Sequence, residues 1–278
     1  MNKDRLKTNL SKIEQQYGGQ FSLEARHLDG DSTFTLRAEE ILPTASTFKL
    51  FVLCELFRQA GEGHIDLQAP ITWKPEFHRG GDGVLRVMKP GQHLSIHNMA
   101  VLMIIISDNI ATATLVDLAG PENVTRTMQD WGLAATNIHR GLPGGANAAE
   151  MEQPVSSAHD LCSLITRIYR RDVLTPEWCD EIIRILRAQR CNDMLPRYIP
   201  VGEDWGDAST WIANKTGYGA CRVEVGIVKA EDTVFSLAMF FKPNQRHQAS
   251  FKCLADYPPV LAMANACRAV CEEIREEC

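Results

Sequence analysis

The stretch Ser46-Thr47-Phe48-Lys49 opens a strongly apolar segment that ends at Gly61. Its periodicity predicts a helix that begins at Ser46. Residues three apart lie on one face of a helix, so the amine of Lys49 is expected near the Ser46 hydroxyl. A serine becomes a good nucleophile when a neighbouring base takes its proton. The tetrad recurs by chance, and its weight comes from two later motifs, Ser107-Asp108-Asn109 and Lys215-Thr216-Gly217.

Outside this segment, the two ends of the chain are rich in strands and the middle is rich in helices. Alternating residues predict strands at 21–28, 32–38, 211–217, 223–229 and 233–242, and helical spacing predicts helices at 3–17 and 256–276. Neither strand cluster covers its apolar faces alone. We therefore predict an α/β (α+β) fold in which one antiparallel sheet is built from both chain ends, with flanking helices and an all-helical lobe inserted in the middle. The predicted lobes are 1–44 with 206–278, and 45–205.

The three motifs, in this order, resemble the class A-type serine β-lactamases, which belong with the penicillin-binding-protein-like transpeptidases. The flanks agree, since Gly83-Val84-Leu85-Arg86 and Lys89-Pro90-Gly91 precede an apolar helix that runs into Ser107. The resemblance covers roughly residues 20–275. It implies a serine hydrolase that forms an acyl-enzyme on Ser46, most naturally by opening a β-lactam.

The resemblance also implies the catalytic roles. Ser46 attacks the lactam carbonyl, and Lys49 is the candidate base if burial and the charge of Lys215 lower its pKa. Ser107 relays a proton to the leaving nitrogen. Lys215 holds the Ser107 hydroxyl and attracts a substrate carboxylate. No metal site and no cofactor are expected.

Substrate-binding roles are expected for the residues beside these. Asn109 offers its amide to the acyl side chain, and Thr216 offers its hydroxyl to the carboxylate. Gly217 allows backbone and substrate to approach closely. By resemblance, the backbone N–H groups of Ser46 and Tyr218 form the oxyanion hole. Arg222, on the same strand face as Glu224, either binds the substrate carboxylate or pairs with Glu224.

One loop departs from the class A pattern, which needs a glutamate, and an asparagine four residues later, to position the hydrolytic water. Counting through Arg140 places Leu142 and Ala146 at these positions. Glu150 and Glu152 come later in the loop and are the remaining candidates for deacylation. The sequence therefore predicts slow release of the acyl group.

Bulk composition excludes several other functions. A net charge of −6 without a basic block gives no support for nucleic-acid binding. The apolar runs are too short to cross a bilayer, and no signal peptide is visible. We expect a cytoplasmic protein, or a periplasmic or secreted one if a leader was removed, and a monomer whose partner is a small β-lactam or related acyl compound. The nine cysteines form no zinc pattern and are expected to be mostly buried and reduced.

Two alternatives remain open from the sequence. A D-Ala-D-Ala peptidase or an esterase of the same fold would use the same catalytic residues. A non-catalytic ligand-binding or sensing module would keep the pocket without turnover.

Overall fold

A five-stranded antiparallel sheet, with strands from both ends of the chain, organises the protein. A computed structural model describes residues 1–78, 80–89, 91, 93–138, 153–199, 209–244 and 256–276. Its helices are α1 (Lys3–Tyr17), α2 (Lys49–Gly61), α3 (Ile96–Ile105), α4 (Asn109–Ala119), α5 (Pro121–Asp130), α6 (Ala158–Arg170), α7 (Pro176–Arg187) and α8 (Pro258–Arg275).

The large sheet has the strand order β2-β1-β9-β8-β7, with every neighbouring pair antiparallel. Its strands are β1 (Gly19–His27), β2 (Thr33–Leu36), β7 (Thr210–Tyr218), β8 (Arg222–Ala230) and β9 (Thr233–Pro243). Two short ribbons pair β3 (Leu42–Pro43) with β6 (Val155–Ser156) and β4 (Pro70–Ile71) with β5 (Leu94–Ser95). The predicted fold class is confirmed, whereas the lobe boundaries stay a prediction.

The sheet separates two apolar cores. On its outer face, Phe21 and Phe241 pack at 4.8 Å between ring centroids, in a core that also contains Leu6 of α1 and Val260 of α8. On its inner face, the core includes Val225 of β8 and apolar residues of the helices from α2 to α7. Because successive side chains of a strand point to opposite faces, β7, β8 and β9 contribute to both cores. The apolar residues of β1 and β2 pack in the outer core.

Local signals explain where the functional helices begin. The Asp108 carboxylate accepts hydrogen bonds from the backbone N–H groups of Ile110 and Ala111, which caps the N-terminus of α4. The Ser46 segment differs from its prediction. Residues Ala45–Phe48 form a 3₁₀ turn, and the α-helix begins only at Lys49. Ser46 therefore lies on a tight turn that leads into α2.

Candidate active site

Ser46 is held between its own turn and strand β7. Ala45, just before it, has a positive φ of 45°, a conformation that costs energy for a residue with a side chain. A Cβ atom on Gly217 would lie 2.8 Å from the Thr44 carbonyl oxygen and 3.2 Å from the Ser46 nitrogen. Glycine at 217 therefore allows the backbone of β7 and that of the Ser46 turn to approach each other, whereas its approach to a substrate stays a prediction.

Ser107 occupies the break between α3 and α4. Its φ is 56°, so it too has the left-handed conformation that non-glycine residues rarely adopt. The adjacent Asp108 is fully buried and accepts a hydrogen bond from Leu85 N–H at 2.9 Å, besides capping α4. This anchoring fixes the backbone that carries the strained serine.

The three motifs meet at the Ser107 side chain. Lys49 Nζ donates to Ser107 Oγ at 2.8 Å, to the Ser107 carbonyl at 2.7 Å and to Asn109 Oδ1 at 3.0 Å. From the opposite wall, Lys215 Nζ donates to the same Oγ at 3.4 Å and to the Thr216 carbonyl at 2.9 Å. A single hydroxyl thus lies between two lysine side chains, one from α2 and one from β7.

Both lysines are buried, with exposures of 1% for Lys49 and 0% for Lys215. Burial, and then repulsion from Lys215, lowers the pKa of Lys49 well below its usual value. Its three acceptors favour the ammonium form, but they do not outweigh the loss of water. Burial also lowers the pKa of Lys215 to about 8. The site therefore combines a lysine that readily gives up its proton with one that stays largely charged at pH 7.

The loop at 80–85 completes this wall. Asn109 Nδ2 donates to the Gly80 carbonyl at 3.2 Å, and Asn109 N–H donates to the Asp82 carbonyl at 3.1 Å. A Cβ on Gly83 would lie 2.2 Å from an Asp108 carboxylate oxygen. The Gly-Gly-Asp-Gly run was the available signal, because glycines permit such close approach.

A model of the β-lactamase enzyme family matches residues 5–272 of the chain. The chain belongs to the β-lactamase enzyme family. Among curated relatives, β-lactamase SME-1 of Serratia marcescens is 24% identical over 134 residues, which cover 46% of this chain and 44% of that protein. The match thus spans less than half of the relative's length.

Solved structures match the fold of this β-lactamase-family protein over nearly its whole length. A β-lactamase from Sphaerobacter thermophilus has a TM-score of 0.87 at 21% identity, covering 99% of both chains. PBP-A has a TM-score of 0.84 at 25% identity, covering 99% of this chain and 97% of that one. A point mutant of PBP-A, solved as an acyl-enzyme complex with penicillin G, has a TM-score of 0.82 at 24% identity and covers 98% and 97%. By family and by fold, the chain thus groups with the β-lactamases and their structural neighbours.

The side chains that alternate with Lys215 and Gly217 on β7 lie on the outer face, in a buried polar cluster. Thr216 is fully buried near the Cys191 thiol. The Tyr218 hydroxyl donates to Asp193, and burial raises the pKa of Tyr218. The predicted contacts of Thr216 and Tyr218 with a substrate stay predictions in this β-lactamase-family protein.

Arg222 shares the outer face with Glu224, as predicted. The residue is only 1% exposed, and its guanidinium donates to the Gly219 carbonyl at 2.7 Å and lies 5.0 Å from the Tyr257 ring centroid. Glu224 accepts a hydrogen bond from Asn214 Nδ2 at 2.7 Å. These contacts include neither a substrate carboxylate nor Glu224. Both predicted roles of Arg222 therefore stay predictions.

The remaining predictions concern the loop at 139–152, membrane spans and two cysteines. Leu142, Ala146, Glu150 and Glu152 lie outside the described residues, so the structure does not bear on their roles. Within the described ranges, no helix is both long and apolar enough to cross a membrane. Cys267 and Cys271 are buried in the outer core, in keeping with packing positions.

Proposed function

We propose that this protein opens β-lactams by acyl transfer to Ser46 and releases the acyl group slowly. The observation that carries the proposal is the Ser107 hydroxyl, which lies within hydrogen-bond reach of both Lys49 Nζ and Lys215 Nζ. A proton can therefore pass between the base and the leaving group without crossing bulk water.

In the proposed acylation, Ser46 Oγ attacks the lactam carbonyl and the C–N bond of the ring breaks. Neutral Lys49 takes the Ser46 proton, and its lowered pKa makes the neutral form available. The Ser107 hydroxyl gives its proton to the lactam nitrogen and is reprotonated by Lys49. The charge of Lys215 stabilises the hydroxyl during this transfer and attracts the carboxylate found on the β-lactam.

Slow release follows from the composition of the loop at 139–152. Leu142 and Ala146 stand where the class A pattern needs a glutamate and an asparagine. Loss of a general base costs a factor of about 10² to 10⁴ in rate. The acyl-enzyme of the PBP-A point mutant with penicillin G supports the same chemistry in a protein of this fold.

The test is a time course of intact-protein mass spectra after mixing with benzylpenicillin. We expect one acyl adduct on the wild type that persists for many minutes, and none on Ser46→Ala. Complete hydrolysis without an adduct would contradict slow release. A wild type that neither forms an adduct nor hydrolyses the drug, yet still binds it, would support the non-catalytic binding module instead.

A D-Ala-D-Ala peptidase is the second candidate, and an esterase of the same fold is the third. Acylation of the peptidase would use the same residues on a peptide carbonyl. Rates with a chromogenic cephalosporin, a D-Ala-D-Ala peptide and a p-nitrophenyl ester separate the three activities. A peptide rate above the cephalosporin rate would assign the peptidase.

A further inference from the structure

A cavity of about 630 Å³ lies away from Ser46, between the C-terminal ends of α6 and α7 and the start of β7. Its volume falls in the usual range for small-molecule sites. The lining includes two aromatic residues, Tyr169 and Trp211, and four arginines, Arg170, Arg171, Arg184 and Arg187. Trp211 comes four residues before Lys215 on the same strand, which is about 13 Å along β7.

The cavity concentrates positive charge on a protein whose net charge is −6. Asp180 lines the cavity and pairs with Arg171 at 2.8 Å, and Glu181 holds Arg184 at 2.6 and 2.7 Å. Arg170 and Arg187 have no carboxylate partner in the part of the chain that the structure describes. Two guanidinium groups thus remain available to an anion.

Helix capping explains part of this arrangement. Arg170 lies in the last turn of α6, and Arg184 and Arg187 lie in the last turn of α7, where cations interact favourably with the helix dipole. That effect acts on each helix separately. It does not explain why arginines from two helices line one cavity, where like charges repel each other.

One of the available arginines is already positioned. The Arg187 guanidinium lies 5.1 Å from the ring centroid of Trp211, a cation–π distance. A side chain held against a ring loses less freedom when a ligand arrives. The planar guanidinium also presents paired N–H donors that match two oxygens of a phosphate group.

We propose that this cavity binds the phosphate group of a small molecule, with Arg170 and Arg187 as the principal ligands. The rings of Tyr169 and Trp211 give the rest of the ligand an apolar wall. The site is separate from the acylation centre and does not depend on how Ser46 reacts.

Isothermal titration calorimetry at constant ionic strength tests the proposal, with inorganic pyrophosphate and ATP as probes. The wild type is compared with Arg170→Gln/Arg187→Gln, and with Lys7→Gln/Lys12→Gln, which removes equal charge from exposed positions of α1. We expect saturable binding to the wild type and the lysine variant. Because charge-assisted hydrogen bonds are lost, the arginine variant should bind about tenfold or more weakly. Tighter binding of ATP than of pyrophosphate would show that the rings contribute.

Absence of saturable binding by both probes would overturn the proposal, as would equal affinity in the arginine and lysine variants. Thermal melting separates binding from helix capping. If capping is the only role, the arginine variant melts lower and the probes raise the melting temperature of all three proteins equally. The single variants Arg170→Gln and Arg187→Gln keep the test valid if the double variant does not fold.

Discussion

The two faces of strand β7 use burial in opposite ways. On the inner face, Lys215 is buried beside the Ser107 hydroxyl, and the loss of water lowers its pKa to about 8. On the outer face, Asn214 of β7 donates to Glu224 of β8, and burial raises the pKa of that carboxyl well above its usual value. The same desolvation thus lowers the pKa of a lysine beside the Ser107 hydroxyl on one face and keeps a hydrogen-bonded carboxyl protonated on the other. We infer that the inner face carries the chemistry and the outer face supports the strand.

The largest effect is expected on the inner face, from Lys49→Met. The variant loses the amine that donates to Ser107 and Asn109, so acylation by a chromogenic cephalosporin should slow by a factor of about 10² to 10⁴. Lys12→Met, an exposed change on α1, is the control and should leave the rate unchanged. An unchanged rate in a folded Lys49→Met protein would exclude Lys49 as the base.

Next in size is Gly217→Ala. The new Cβ would lie 2.8 Å from the Thr44 carbonyl oxygen and 3.2 Å from the Ser46 nitrogen, so the nucleophile must shift. A displacement of about 1 Å can cost a factor of about 10² in rate. The acylation rate constant, measured under single-turnover conditions, checks this.

Thr216→Val changes the neighbouring outer-face side chain and is the matched comparison. The wild-type Thr216 hydroxyl is fully buried on the outer face, away from Ser107. The loss in acylation rate should therefore be smaller for Thr216→Val than for Gly217→Ala. An equal loss, accompanied by a raised KM, would break the distinction between the faces and assign the Thr216 hydroxyl to the substrate carboxylate.

The pH dependence of acylation should follow Lys215. Because its pKa is about 8, its charge is present below this pH and is lost above it. The acylation rate should therefore fall by up to about tenfold per pH unit above pH 8. Lys215→Arg stays charged and should abolish this fall, even if its rate is lower throughout. A wild-type rate that stays level from pH 7 to pH 10 would contradict a role for the charge.

The smallest effect is expected on the outer face. Glu224→Ala leaves the buried Asn214 amide without its acceptor and should lower the free energy of unfolding by about 1–3 kcal/mol. Glu224→Gln keeps an acceptor in place of a neutral carboxyl and should cost less. Both should acylate at nearly the wild-type rate. Urea unfolding measures the stabilities, with exposed Asp232→Asn as the control.

The sign of a pH effect on stability sharpens this last test. In the folded protein, Glu224 keeps its proton well above pH 4.5, which is its pKa in the unfolded chain. Its contribution to the free energy of unfolding is therefore complete below pH 4.5 and decreases as the pH rises above 4.5. Glu224→Gln should lack that part of the fall. Identical pH profiles for the two proteins would contradict the raised pKa.

Particular residues show how far sequence reasoning reached. The strands around Phe21 and Val225 could be predicted because period-2 alternation is a local signal. The single sheet from both chain ends could be predicted because neither strand cluster covers its apolar faces alone. The helix predicted from Ser46 was wrong by one turn, because the stretch Ala45–Phe48 is a 3₁₀ turn against β7. The glycines at 80, 81 and 83 indicate that this loop can approach another segment closely, but no local pattern indicates that its hydrogen-bond partner is Asn109.

By itself, the sequence determined the reactive groups and their order: a serine and a lysine three residues apart, a second serine, a second lysine, and a loop without the expected glutamate. Only the tertiary structure decided that Lys49 and Lys215 approach one Ser107 hydroxyl from opposite walls of the site. It also decided that the Arg222 side chain is buried beside the Tyr257 ring. The physical reason is that periodicity reports which face of an element is apolar. The distance between two side chains, and the water each one loses, depend on how distant segments pack.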